Sequence, residues 1–132
     1  MICLIKRLFS RSSVPLKTTT KKIEFFIHPE IGKENKPTND KYLLLSYFLA
    51  DSRYPDHIER RINELKLVQS GEKTFEEVFE IYATIVIGWN EGEFECDKDT
   101  AYFISRLPDH ASMEMPMQEL IELLEEWKAF MS

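Results

Sequence analysis

The chain is 132 residues long, 43% hydrophobic and 30% charged, with four Gly and six Pro, which fits one globular domain and excludes a disordered or low-complexity chain. Two cysteines, Cys3 and Cys96, stand without CxxC or Cys/His spacing, so the sequence offers no disulfide framework and no zinc site, and a reducing compartment is the default. The net charge of −6 is uneven: residues 1–41 carry nine Lys or Arg against four Asp or Glu, and residues 42–132 carry eight against nineteen. Such an acidic body repels phosphates, which disfavours direct binding to nucleic acid or an anionic membrane and favours a basic protein partner.

Residues 1–22 contain six Lys or Arg and no acid. Lys6 and Arg7 interrupt the apolar start after Ile5, which breaks the uninterrupted core a secretory signal needs. The segment reads as a basic N-terminal extension, or as a first element packing through Ile2, Leu4, Ile5, Leu8 and Phe9; its acid-poor, Arg- and Ser-containing composition also resembles an organelle transit peptide. No stretch approaches the roughly 20 apolar residues of a membrane span.

Residues 23–132 are expected to form a single α+β domain. Lys22–His28 alternates Ile23, Phe25 and Ile27 with Lys22, Glu24 and Phe26, which predicts a strand closed by Pro29. Residues 29–40, with Gly32, Pro37 and Thr38-Asn39-Asp40, read as a loop whose end caps the next helix. Tyr42–Asp51 is apolar on most sides and is predicted to be the buried helix. Asp56–Ser70 places Ile58, Ile62, Leu65 and Val68 on one stripe, with Asp56 as N-cap, Glu59 three residues on and Gly71 as the stop.

From Phe75 the odd positions read Phe75, Glu77, Phe79, Ile81, Ala83, Ile85, Ile87 and Trp89, a period of two that argues for strand. Thr74 with Glu77 also forms a capping box that would start a helix, so Phe75–Phe79 is open between the two, and strand is expected from Glu80 onward. Asn90-Glu91-Gly92 is the expected turn, with Gly92 supplying a positive φ. Beyond it Phe94 and Cys96 face inward. Further short strands are expected around Tyr102–Ile104 and Ser112–Met115, and Pro116 opens a last helix with Met117, Leu120, Leu124, Trp127 and Met131 on its stripe.

The antiparallel sheet is therefore predicted to be covered by about three helices, with one apolar and one anionic face. The anionic face would carry Glu76, Glu80, Glu93, Glu95 and Asp97 with Tyr82, and Glu91 and Trp89 would lie at the turn. No GxSxG, HExxH or glycine-rich phosphate loop occurs, and His28, His57 and His110 each sit beside a turn signal and outside any recognisable catalytic motif, which reads as a surface residue because catalysis needs a positioned partner. Alternating carboxylates from Glu91 to Asp99 could attract a divalent cation, but same-face neighbours on a strand stand about 6.5–7 Å apart, too far for two to share one ion. No cofactor is expected. Tyr82 and Trp89 beside carboxylates suit a docking surface, in which aromatic anchors hold and charges steer; the alternative place for Trp89 is a cap on the core.

The order KLVQSGEK, IYATIVIGW, NEGEFEC, SRLPDHASMEMP and MQELIELLEEWKAF resembles immunity proteins of bacterial contact-dependent growth inhibition systems, over roughly the last half of the chain. The resemblance implies a small cytoplasmic α+β protein that binds its cognate toxin domain, commonly a nuclease, and blocks it without performing a reaction. The basic start, residues 1–22, has no counterpart in that pattern. The other functions open to this sequence are an adaptor domain for a different partner and a carboxylate-dependent metal enzyme.

Overall fold

A computed structural model of the chain describes residues 22–79 and 85–132. The basic segment up to Lys21 and residues 80–84, where Glu80 and Tyr82 fall, lie outside the described residues. The first element is a hairpin of β1 (Ile23–His28) and β2 (Gly32–Pro37), paired antiparallel from Ile23 with Pro37 to His28 with Gly32. His28 fixes its turn: Nδ1 accepts from the backbone N–H groups of Glu30 and Ile31 at 3.0 and 3.2 Å, and Gly32 takes φ +95°.

The strand β2 corrects the loop expected at 29–40. Its sequence, GKENKP, has no apolar alternation because its side chains dock by polar contacts instead. Ser46 Oγ donates to Asn35 Oδ1 at 2.7 Å, and Arg53 pairs with Glu34 at 3.1 Å. A strand held this way leaves no periodic apolar signal.

After a short 3-10 turn capped by Asn39, α1 (Leu43–Ala50) runs through the core with Leu44, Leu45, Phe48 and Leu49 buried. The helix α2 (Pro55–Gln69) buries the expected stripe of Ile58, Ile62, Leu65 and Val68, each worth about 1.5–3 kcal/mol when fully removed from water. Its start differs from the Asp56 cap: Tyr54 is the N-cap without a side-chain hydrogen bond, and Pro55 opens the first turn, where its missing N–H costs nothing. Gly71 stops it at φ +83°.

The capping box wins at Thr74. Thr74 Oγ1 accepts from Glu77 N–H at 3.1 Å and Glu77 Oε1 accepts from Thr74 N–H at 2.8 Å, which makes Phe75–Val78 a one-turn helix, α3. The strand reading of Phe75–Phe79 is thereby overturned, since two satisfied backbone donors outweigh an alternating pattern.

A four-stranded antiparallel sheet comes next, in the order β3 (Ile85–Ile87), β4 (Gly92–Cys96), β5 (Thr100–Ser105), β6 (Met113–Pro116). With the two-stranded hairpin and the α-helices it makes an α+β architecture. Ile87, Phe94, Cys96, Ala101, Phe103 and Met115 face the core, where Phe48 of α1 meets Phe94 and Phe103 at ring-centroid distances of 4.6 and 5.4 Å.

The closing helix α4 (Met117–Met131) buries Met117, Leu120, Leu124 and Trp127 as the stripe predicts, and Ile121 and Leu123 as well; Met131 is only half-buried, and Pro116 serves as N-cap. It lies along α2, tied by Lys128 to Glu59 at 2.6 Å and Lys66 to Glu125 at 3.4 Å. Trp127 fills the space beneath the first hairpin, 5.4 Å from the Phe25 ring, and its indole N–H donates to the buried Ser52 carbonyl at 2.8 Å. Among the described residues no helix is long and apolar enough to cross a membrane.

Candidate functional site

The turn between β3 and β4 is built differently from the Asn90-Glu91-Gly92 reading. Positive φ falls on Gly88 (+62°) and Asn90 (+66°), and Glu91 N–H closes the loop onto Ile87 O at 3.0 Å. Gly92 is instead the first residue of β4, where a Cβ would lie 2.7 Å from the Ile104 carbonyl oxygen and about 3 Å from Leu44. Glycine is required there for close approach rather than for φ. Asp51, at the end of α1, anchors the turn by accepting from Gly88 N–H at 2.9 Å.

Trp89 sits in this turn with 95% of its surface exposed, so it is no cap on the core. The two acids nearest it are not bare. Glu91 meets His110 Nε2 at 3.0 Å, with the His110 ring edge-on to Tyr47. Glu93 accepts from Arg106 Nε at 3.0 Å, and Arg106 also donates to the Asn90 side chain and, through its backbone N–H, to the Glu91 carbonyl. The hydrogen bond to Glu91 raises the pKa of His110 above its ordinary value, aided by the neighbouring Asp109. The loop after β5 thus covers the turn with one cation and one titratable ring.

Further along β4, Glu95 faces outward between strands. The sheet register places Val86, Glu93 and Ile104 in one cross-strand row and Glu95, Tyr102 and Glu114 in the next. Val86 and Ile104 are exposed at 46% and 38%, and Glu95 and Glu114 are exposed. This outer face is a mixed surface: two aliphatic side chains, one tyrosine, and carboxylates of which Glu95 and Glu114 have no ion pair among the described residues.

Asp97 leaves that face. Its carboxylate accepts from the backbone N–H groups of Asp99 and Thr100 at 2.9 and 2.8 Å and from the Tyr102 hydroxyl at 3.1 Å. The backbone bonds hold its pKa below the usual carboxylate range, and the same hydroxyl contact raises that of Tyr102. Asp97 therefore shapes the β4–β5 turn. Glu76 stands apart on α3 and meets Asp97 only around a separate cleft of about 350 Å³ floored by Val68, Phe75 and Cys96. The thiol of Cys96 there is pushed up to about 12 by burial and the surrounding acids, which keeps it protonated and unreactive.

Of the predicted site residues, Trp89, Glu91 and Glu93 come together at one end of β4, Glu95 lies on the outer face beyond them, and Glu76 and Asp97 gather at the other end. Arg106, His110, Tyr102, Ile104 and Glu114 belong to the same surface and escaped the sequence reading. A period-two pattern through Tyr102, Ile104 and Glu114 carried the signal for the last three; nothing local flagged Arg106 or His110, which act on residues 13 and 19 positions away. Among the described residues no three His, Cys, Asp or Glu converge as metal ligands. No protein-family model, curated protein or solved structure matches this chain.

Proposed function

We propose that the chain is an immunity protein: it binds a cationic toxin domain, a nuclease of a contact-dependent growth inhibition system, in the cytoplasm of the producing cell, and blocks it stoichiometrically. The observation that carries this reading is Trp89, almost wholly exposed on a braced turn beside the outer face of the sheet. A tryptophan left in water by a chain that buries its other one gains most from a partner that removes it from solvent.

Glu95 and Glu114 flank Tyr102 on the same face without cations of their own among the described residues, and with the acidic body they would speed encounter with a basic surface. Carboxylates presented next to an aromatic anchor suit a pocket made for substrate phosphates. Glu91 and Glu93, already engaged by His110 and Arg106, serve instead to hold the turn.

The test is co-expression with the C-terminal domain encoded by the neighbouring upstream gene. The proposal expects a 1:1 complex, loss of nuclease activity at equimolar ratio, and recovery of activity when Trp89→Ala is combined with Glu95→Lys. A folded chain that neither co-purifies with that domain nor lowers its activity would sink the reading.

A further inference from the structure

Where the end of α1, the middle of α2 and β3 meet, a cleft of about 290 Å³ opens between Phe48, Asp51, Ser52, Arg61, Ile85 and Val86. A second cleft of about 270 Å³ adjoins it and shares Asp51, Ser52 and Arg61. The Arg61 side chain is only 24% exposed. Its guanidinium is held 5.3 Å from the Phe79 ring and 6.0 Å from that of Phe48, and one of its N–H groups donates to Glu64 at 2.9 Å.

Among the described residues its other N–H groups meet no acceptor. A guanidinium presents five donors, and those that Glu64 does not meet remain within reach of solvent and of a ligand in the cleft. Asp51, across the same cleft, uses one carboxylate oxygen on Gly88 N–H, and the other has no donor among the described residues. Burial works against the charge of both groups, lowering the pKa of Arg61 and raising that of Asp51, and their attraction for each other offsets part of it. A half-buried cation with spare donors, an exposed anion with a spare oxygen and an apolar wall of Phe48 and Ile85 therefore share one concavity.

We propose that this cleft binds a small molecule with a carboxylate and an ammonium group on an apolar stem, that is, a free aliphatic or aromatic α-amino acid. The carboxylate accepts from the guanidinium fork of Arg61, the ammonium donates to Asp51, and the side chain lies against Phe48 and Ile85. A purely anionic ligand would face Asp51 and a purely cationic one Arg61, whereas a ligand carrying both charges satisfies each. The volume falls near the lower end of ligand pockets, about 300–1,000 Å³, which suits a molecule of this size. The site adjoins the docking surface: Val86, which lines it, also stands on the outer sheet face, and Asp51 also holds the turn that carries Trp89.

The experiment titrates the full ¹⁵N-labelled chain with L-leucine and L-phenylalanine, and separately with acetate and butylamine, which each carry one of the two charges. Saturating amide shifts at Asp51, Ser52, Arg61, Val86 and Gly88 are expected for at least one amino acid, with Kd of about 1 mM or tighter. Acetate and butylamine should bind at least tenfold more weakly. Arg61→Lys, which keeps the charge and loses the fork, and Asp51→Asn should each raise Kd at least tenfold, with unchanged circular dichroism certifying the fold. Absence of saturable shifts with both amino acids, equal binding of a single-charge probe, or affinity unmoved in both folded variants would overturn the proposal.

Discussion

Replacing Trp127 by alanine tests the packing scheme at its most loaded point. The side chain is wholly buried, flanked by the Phe25 and Phe130 rings at 5.4 and 6.1 Å, and its indole N–H supplies the Ser52 carbonyl. Deleting a buried large aromatic costs about 3–5 kcal/mol in lost transfer energy and residual cavity. Leaving a buried carbonyl without its donor costs about 1–3 kcal/mol, reduced if water enters the vacated space. The expected loss is therefore about 5 kcal/mol, a large part of the roughly 5–15 kcal/mol that holds a domain together, and a fall in Tm of about 15–20 °C. Trp127→Phe separates the two contributions, because it restores most of the volume but not the N–H, and should cost about 2 kcal/mol. Urea and thermal unfolding followed by circular dichroism measure both variants. A loss below about 2 kcal/mol for Trp127→Ala would refute the reasoning, as would a phenylalanine variant no more stable than the alanine one.

Three further outcomes are expected from the described geometry. Gly92→Ala forces a methyl group against the Ile104 carbonyl and Leu44 and should lower stability by about 2 kcal/mol or more in urea unfolding; a neutral result would mean that β4 and β5 can part at that point without cost. Glu91→Gln removes the main cause of the raised His110 pKa, and a group with a raised folded-state pKa contributes its stability below the unfolded value of about 6.5 and loses it as pH rises through the folded value. The gap in urea midpoint between wild type and Glu91→Gln should accordingly be widest near pH 5.5–6 and shrink toward pH 8.5, and a gap independent of pH would refute the pairing. On the outer face, Glu95→Lys with Glu114→Lys should slow association with the cationic partner and flatten its salt dependence, while Trp89→Ala should act on the dissociation rate. Surface-based kinetics at two salt concentrations reads both effects, and unchanged association in the double reversal would move the interface elsewhere.

The helices were legible because their signal is local and repeated. Ile58, Ile62, Leu65 and Val68, like Met117, Leu120, Leu124 and Trp127, recur at helical spacing and are all buried. The inward placement of Phe94 and Cys96 was legible for the same reason at a period of two. What stayed hidden depends on partners distant in sequence. The polar strand β2 exists through Ile23–His28 opposite it and through Ser46 and Arg53. Gly92 looked like a turn residue, yet its need for glycine comes from Ile104 and Leu44. At the candidate site, a run of carboxylates reads as one anionic stripe in sequence, whereas Arg106, His110 and the β4–β5 turn each engage a member of it, leaving Glu95, with Glu114 across Tyr102, as the outer-face acids without an ion pair among the described residues.

Asp51 and Ser52 are adjacent in the chain and bear on opposite ends of the molecule's function. The Ser52 carbonyl is bound to Trp127 in the deepest part of the core, and the Asp51 carboxylate is bound to the backbone that begins the Trp89 turn. Two hydrogen bonds and one peptide unit thus connect the closing helix to the most exposed aromatic among the described residues. A partner meeting Trp89 would find a loop whose backbone is already fixed from behind, so less conformational entropy is lost on association and more of the gross contact energy appears as affinity. Cutting that connection with Asp51→Ala, which leaves Gly88 N–H no side-chain acceptor, would weaken the complex with Trp89 still in place, a loss caused by looseness and not by any missing contact.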